Sequence, residues 1–205
     1  VSLVSASAGQ WELGWELYRI ASLAHRKRPF LAVATLLDDL RDQTGETAFL
    51  AVYDAPRRAR MYVAASPSPR SVQFVPQLFH WLPLHATASA MAILAHRPEA
   101  ERMELYAEGL PIFSEAQTTP KIEKIMSKVR SDGFAASRDQ ADVGASAIAA
   151  PVWTAGAVRG SVGVAVPNQR FNKGSTVELA PHVTRVAEFI SRRLGDPLSV
   201  VDHSR

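Results

Sequence analysis

Two stretches of small and apolar residues constrain this chain most: Leu84-His85-Ala86-Thr87-Ala88-Ser89-Ala90-Met91-Ala92-Ile93-Leu94-Ala95, and Ala147-Ile148-Ala149-Ala150-Pro151-Val152. The first reads as a small-residue helix start running into an apolar helix. The second has the alanine and valine content of a buried strand. Together they predict a place where a small molecule meets backbone amides on one side and a sheet face on the other. The chain is therefore a candidate sensor.

Composition narrows the class. At 205 residues, 47% hydrophobic and 21% charged, an ordinary soluble globular protein with one main domain and one substantial core is expected. No apolar run approaches the ~20 residues of a membrane helix, and the start does not read as a signal peptide. Zero cysteines exclude disulfides, thiolate metal sites and thiol catalysis. They are compatible with a reducing compartment, and a cytoplasmic location is expected. The net charge of +3 allows weak attraction to nucleic acid, but the basic residues are scattered. Only Arg26-Lys27-Arg28 and Arg57-Arg58-Ala59-Arg60 cluster, and both are read as solvated surface.

Along the chain, Leu3-Val4 and Trp11-Glu12-Leu13 flank a small-residue turn and read as a hairpin. Helical spacing follows from Trp15 to Leu23, and a second helix carries Leu31, Val33, Leu36, Leu37 and Leu40 inward before Gly45. Thr47 to Tyr53 and Arg60 to Ala64 predict a strand hairpin across Asp54-Ala55-Pro56-Arg57, with Ser71 to Val75 as a neighbouring strand. Helices are expected from His85 to His96, from Pro98 to Gly109, and from Thr119 to Gly133. Strands then run over Phe134–Arg138, Ala145–Trp153 and Val158–Val166, the last two turning at Gly156. Pro181 to Leu194 closes the chain as a helix. This order predicts an α+β fold, an antiparallel sheet with helices packed on it.

Five segments in this order resemble the effector-binding domain of the IclR family of bacterial transcription regulators. They are Thr44-Gly45-Glu46-Thr47; Leu82 to Ala88; Val129-Arg130-Ser131-Asp132-Gly133-Phe134-Ala135; Ile148-Ala149-Ala150-Pro151-Val152; and Val166-Pro167-Asn168-Gln169-Arg170. The resemblance implies a GAF/PAS-like sheet for residues 29–195, a linker helix at 15–28 and a tail at 196–205. Residues 1–14 resemble a remnant of the wing of a winged helix-turn-helix whose recognition helices are missing here, through either a cut or gene loss. An unrelated leader hairpin is the alternative.

What the resemblance implies for the site is a small-molecule carboxylate at the helix start near Thr87, where unpaired N–H groups and the helix dipole favour an anion. Carried over by position, the effector contacts are Ala88 and Ser89 as backbone donors, Ser137 and Ala147 on two later strands, and Gly163 and Ala165 on the last. Phe74 and Leu82 supply an apolar wall. Gly163 and Ala165 are two apart and share a strand face whatever the family. Where small-acid sensors of the family carry Asp and several Cys or Ser groups, this chain has Ser137, Ala147, Gly163 and Ala165, which favours a larger hydrophobic or aromatic carboxylic acid. Ala90 and Met91 replace the family's usual Gly-Lys. The alternative is that these small residues are ordinary packing and the pocket is filled.

Catalysis finds no support. The six histidines show no metal-ligand spacing, and His85 is read as a capping or packing residue. No Gly-x-Ser-x-Gly or dinucleotide loop is present. No catalytic residue, metal or cofactor is expected. The favoured function is ligand sensing that controls DNA binding through oligomer geometry. A ligand-free dimerisation module and an enzyme derived from the sensor fold are the alternatives. The implied partners are a carboxylate effector, a homodimer or homotetramer, and DNA only through the missing N-terminal half, with no membrane.

Overall fold

The computed structural model describes residues 4–7, 10–17, 19–20, 30–84, 87–108, 119–140 and 143–195. The expected tail, most of the linker from 21 to 28, and His85 lie outside the described residues. Strands β1 (Val4–Ser7) and β2 (Gln10–Leu13) pair antiparallel, Val4 opposite Leu13, as the hairpin expected there. Residues 15–17 and 19–20 are helical.

Helix α1 (Phe30–Thr44) ends where its apolar stripe runs out. Gly45 takes φ +68° and returns its N–H to the Arg41 carbonyl at 2.6 Å, a stop that glycine alone makes without strain. Strands β3 (Thr47–Asp54) and β4 (Ala59–Ser66) form a hairpin, and β5 (Trp81–Pro83) pairs with the start of β4. Helices α2 (Ala88–Leu94), α3 (Glu99–Ala107) and α4 (Thr119–Asp132) follow. Strands β6 (Ala135–Arg138), β7 (Ala145–Thr154) and β8 (Ala157–Pro167) lead to α5 (Ser175–Gly195).

The six-stranded sheet has the order β5-β4-β3-β8-β7-β6, antiparallel throughout. Its two hairpins, β3–β4 and β7–β8, join through β3 and β8, with Leu50 opposite Val162 and Thr47 opposite Ala165. The strand period of two then sorts the residues into faces. Val162, Val164, Val166, Ala48, Leu50, Ile148 and Ala150 bury against Leu37 and Leu40 of α1 and Val183 and Ile190 of α5. The opposite parity, Phe49, Ala149 and Ala165, faces α2 and Met126 and Val129 of α4. Both faces are covered, which explains the nearly unbroken apolar run in β8. Among the described residues no helix is long and apolar enough to cross a membrane.

Gly163 sits where α2's face of the sheet is tightest. A Cβ there would lie 2.2 Å from the Ile148 carbonyl oxygen, 2.8 Å from Phe49 Cζ and 2.9 Å from Ala149 Cα. Gly163→Ala is expected to cost about 1–3 kcal/mol through overpacking, read as a lowered urea midpoint at unchanged slope.

Two sequence expectations are corrected. Residues 71–75 form no strand; Trp81–Pro83 takes the place beside β4 instead. Instead of a ladder partner, the Val72 carbonyl accepts from Arg170 Nη1 at 3.0 Å, and Val72 is 54% exposed. The last helix begins at Ser175, six residues before Pro181, which lies inside it. Asn172 and Ser175 organise that start, Ser175 Oγ accepting the Asn172 N–H and Asn172 Oδ1 the Gly174 N–H. Val177, whose carbonyl the missing proline N–H would have met, is 79% exposed, so water is available to it.

Candidate functional site

A cavity of about 530 Å³ opens on the α2 side of the sheet. Phe49 of β3, Tyr62 of β4, Ala147 of β7 and Ala165 of β8 line its sheet side, and Leu82 of β5 and Phe74, Val75, Pro76 and Gln77 complete the wall. Phe49 and Tyr62 meet edge to face at 5.2 Å. Thr87, Ser89 and Ser137 add hydroxyls beside the start of α2.

The first turn of α2 is held by those hydroxyls. Thr87 caps it in extended geometry, its Oγ1 accepting the Ala90 N–H at 3.3 Å. The Ala88 N–H donates to Ser137 Oγ at 2.9 Å, and the Ser89 and Ser161 hydroxyls bond at 2.8 Å. Of the two expected backbone donors, Ala88 and Ser89, the Ala88 N–H is already engaged by Ser137, as is the Ala90 N–H by Thr87. Ser137→Ala would strip Ala88 of its acceptor, and a loss of about 1 kcal/mol in unfolding free energy is expected from denaturant titration.

What lacks a partner is a cation. Arg60 of β4 is 2% exposed and lines the cavity. Its Nη2 donates to Thr87 Oγ1 at 3.1 Å and its Cζ lies 4.8 Å from the centre of the Tyr62 ring. Its Nε and Nη1 are buried without a hydrogen-bond partner, and no carboxylate stands among the described residues of the lining. The reading of Arg57-Arg58-Ala59-Arg60 as solvated surface is corrected here. Arg57 pairs with Asp54 and Arg58 with Glu104 and Glu108 at the surface, whereas Arg60 turns inward. The signal was in the sequence: in an Arg60-Met61-Tyr62 strand, the period of two puts Arg60 on the same face as Tyr62.

Of the residues expected at the site, Phe74, Leu82, Ser89, Ser137, Ala147 and Ala165 line this cavity together. Ala88 and Gly163 are not among the described lining residues: Ala88 is fully buried in α2, and Phe49 occupies the space a side chain at 163 would need.

A second hollow of about 590 Å³ lies past the end of β6, where the outer edge of β7 at Pro151 and Trp153 runs on beside α5. Pro151 has no N–H, and the Trp153 N–H donates to Ser191 Oγ at 2.9 Å, so this edge is blunted. His96 lines it, with Nε2 buried and unpartnered. Burial, and then the Arg130 charge, hold the His96 ring below its ordinary pKa and so neutral. A neutral ring requires no counter-ion; the Arg60 guanidinium does.

Comparison with known proteins places these features in a family. The model of the bacterial transcriptional regulator IclR C-terminal domain matches residues 24–192. The glycerol operon regulatory protein of Streptomyces griseus is 28% identical over 196 residues, spanning 92% of this chain and 76% of that protein. Among solved structures, a putative IclR transcriptional regulator from Silicibacter superposes with a TM-score of 0.81 at 23% identity, over 93% of this chain and 76% of that one. HmgR of Pseudomonas aeruginosa does so with a TM-score of 0.70 at 28% identity, over 94% and 78%.

Proposed function

Because the chain belongs to the IclR family of bacterial transcription regulators and comprises its effector-binding C-terminal domain, we propose that its effector is a hydrophobic or aromatic carboxylic acid bound in the Arg60 cavity. The observation that carries this is the buried guanidinium with two unpartnered nitrogens. A buried charge is costly unless paired, and the described lining offers Arg60 no carboxylate, so the ligand supplies it. The rest of the lining is suited to an apolar body: Phe49, Tyr62, Phe74 and Leu82 are the large walls, and Ala147 and Ala165 leave room. The volume falls in the range of about 300–1,000 Å³ usual for small-molecule sites.

Effector binding in a homodimer or homotetramer would alter how two subunits sit and hence the spacing of DNA-reading heads N-terminal to this domain. A coupling of about 1–3 kcal/mol gives a useful response. The catalytic alternative would need an acid–base pair at the cavity, and none stands among the described residues of its lining.

Thermal unfolding in the presence of benzoate, phenylacetate, hexanoate, benzamide and glycerol tests the proposal. An acid at a hundred times its dissociation constant should add about 2.7 kcal/mol of stability. Glycerol is included because the relatives named above are glycerol operon regulatory proteins. It would leave Arg60 unpaired and should have no such effect. Stabilisation by glycerol or benzamide with none by any acid would refute the carboxylate assignment. Native mass spectrometry with and without the stabilising acid then reads the oligomer.

A further inference from the structure

Resting on the reading of this cavity as an acid site, we propose a sharper specification: the effector carries one negative charge and no positive one. It is a monocarboxylate, and any second polar group on it is neutral.

The cavity is open on the side of Val75, which is 46% exposed, but Arg60 at 2% exposure is closed off from solvent, so charges are counted beside Arg60. Among the described lining residues Arg60 is the sole ionisable cation, and there is no Asp, Glu, Lys or His. Its Nη2 gives one hydrogen to Thr87 Oγ1, while Nε and Nη1 stay unpartnered. One carboxylate takes two parallel hydrogens from one edge of the guanidinium, Nε with Nη2 or Nη1 with Nη2, and Nη2 keeps a second hydrogen for this beside its bond to Thr87. Once that pair forms, the cavity is neutral. A second carboxylate, or the second charge of a phosphate monoester, held beside Arg60 would then be buried without a counter-ion. The α-ammonium of an amino acid held there would find no carboxylate among the described lining residues and would enter a space already holding Arg60. Both violate the requirement that buried charge be paired.

Neutral polar groups are treated differently. Ser137, Gln77 and Gln140 bring a hydroxyl and two amides to the lining, each able to donate and accept. A hydroxyl or amide on the ligand can therefore be satisfied where a charge cannot. Discrimination of this kind excludes wrong partners through unpaired groups instead of adding attraction to the right one.

Isothermal titration of the 205-residue chain at neutral pH, with ligands sharing one body, tests this. The set is 3-phenylpropanoate, phenylalanine, phenylsuccinate and 3-phenylpropanamide, with hexanoate, norleucine, adipate and hexanamide as a second series and glycerol 3-phosphate as the phosphate probe. The monocarboxylate of at least one series should bind, with its dicarboxylate and amino acid weaker by about a hundredfold or more. A dicarboxylate or amino acid within about threefold of its monocarboxylate, or glycerol 3-phosphate binding more tightly than both monocarboxylates, would overturn the single-charge rule while leaving an anion site standing. An amide binding as well as its acid, or no member of either series binding, would overturn the acid site itself and the rule with it.

Discussion

Arg60→Met should leave the unliganded domain at least as stable as the parent while weakening acid binding by about a hundredfold or more. Methionine nearly matches the arginine stem in volume and flexibility and carries no charge. It removes two buried, unpartnered nitrogens from the apo protein, and exchanging a buried charge for an apolar side chain is often neutral or stabilising. Thr87 Oγ1 loses a donor but keeps the Ala90 N–H, so α2 retains its cap. With an acid present the sign reverses, because its carboxylate would now be buried without a counter-ion. Urea unfolding gives the first quantity, and the ligand-dependent rise in melting temperature gives the second. A variant that unfolds several kcal/mol more easily and still binds acid would mean that Arg60 serves the fold instead of the ligand.

Glu46→Ala should be strongly destabilising, costing about 3 kcal/mol and lowering the melting temperature by roughly 6–12 °C. Glu46 is 3% exposed at the head of β3. It accepts from Arg170 Nε and Nη2 at 2.7 Å each and from Arg70 Nη1 at 2.9 Å. These bonds tie the turn after β8 and the segment after β4 to one carboxylate. Arg170 also holds the Val72 carbonyl, just before the Phe74–Gln77 wall of the cavity. Removing the carboxylate leaves two guanidinium groups facing one another. Their partial exposure holds the cost to that figure. In a cycle with Arg170→Ala, the double variant should be more stable than the sum of the two single losses predicts, by at least about 0.5 kcal/mol. Strict additivity would mean that the contact contributes nothing.

Much of the fold was legible because its signals are local. The nearly continuous apolar runs in Thr47–Tyr53 and Val158–Val166 report strands with two covered faces, and the stripe Leu37–Leu40 reports a helix seated on one of them. Gly45 marks a helix end because few other residues tolerate its φ. Six of the eight residues that the family resemblance implied for the site line one cavity. One error in the fold arose where a distant group met the backbone of a strand-like segment, the other where a local helix start was missed. Residues 71–75 have strand composition, yet Arg170 captures their backbone. Pro181 resembles a first-turn proline, yet Asn172 and Ser175 nucleate the helix earlier.

The period of most segments, 71–75 excepted, the α+β order and the family can be read along the chain. Which polar groups are satisfied cannot, and only the tertiary structure decides it. Thr87 and Arg60 are 27 positions apart, Ala88 and Ser137 are 49, and Glu46 and Arg170 are 124. A side chain's preference for a face is set by its immediate neighbours, but whether its charge meets a partner depends on residues that only closure of the sheet brings within about 3 Å. That is why the period of two could place Arg60 on the face of Tyr62 but could not say that it meets no carboxylate among the described lining residues.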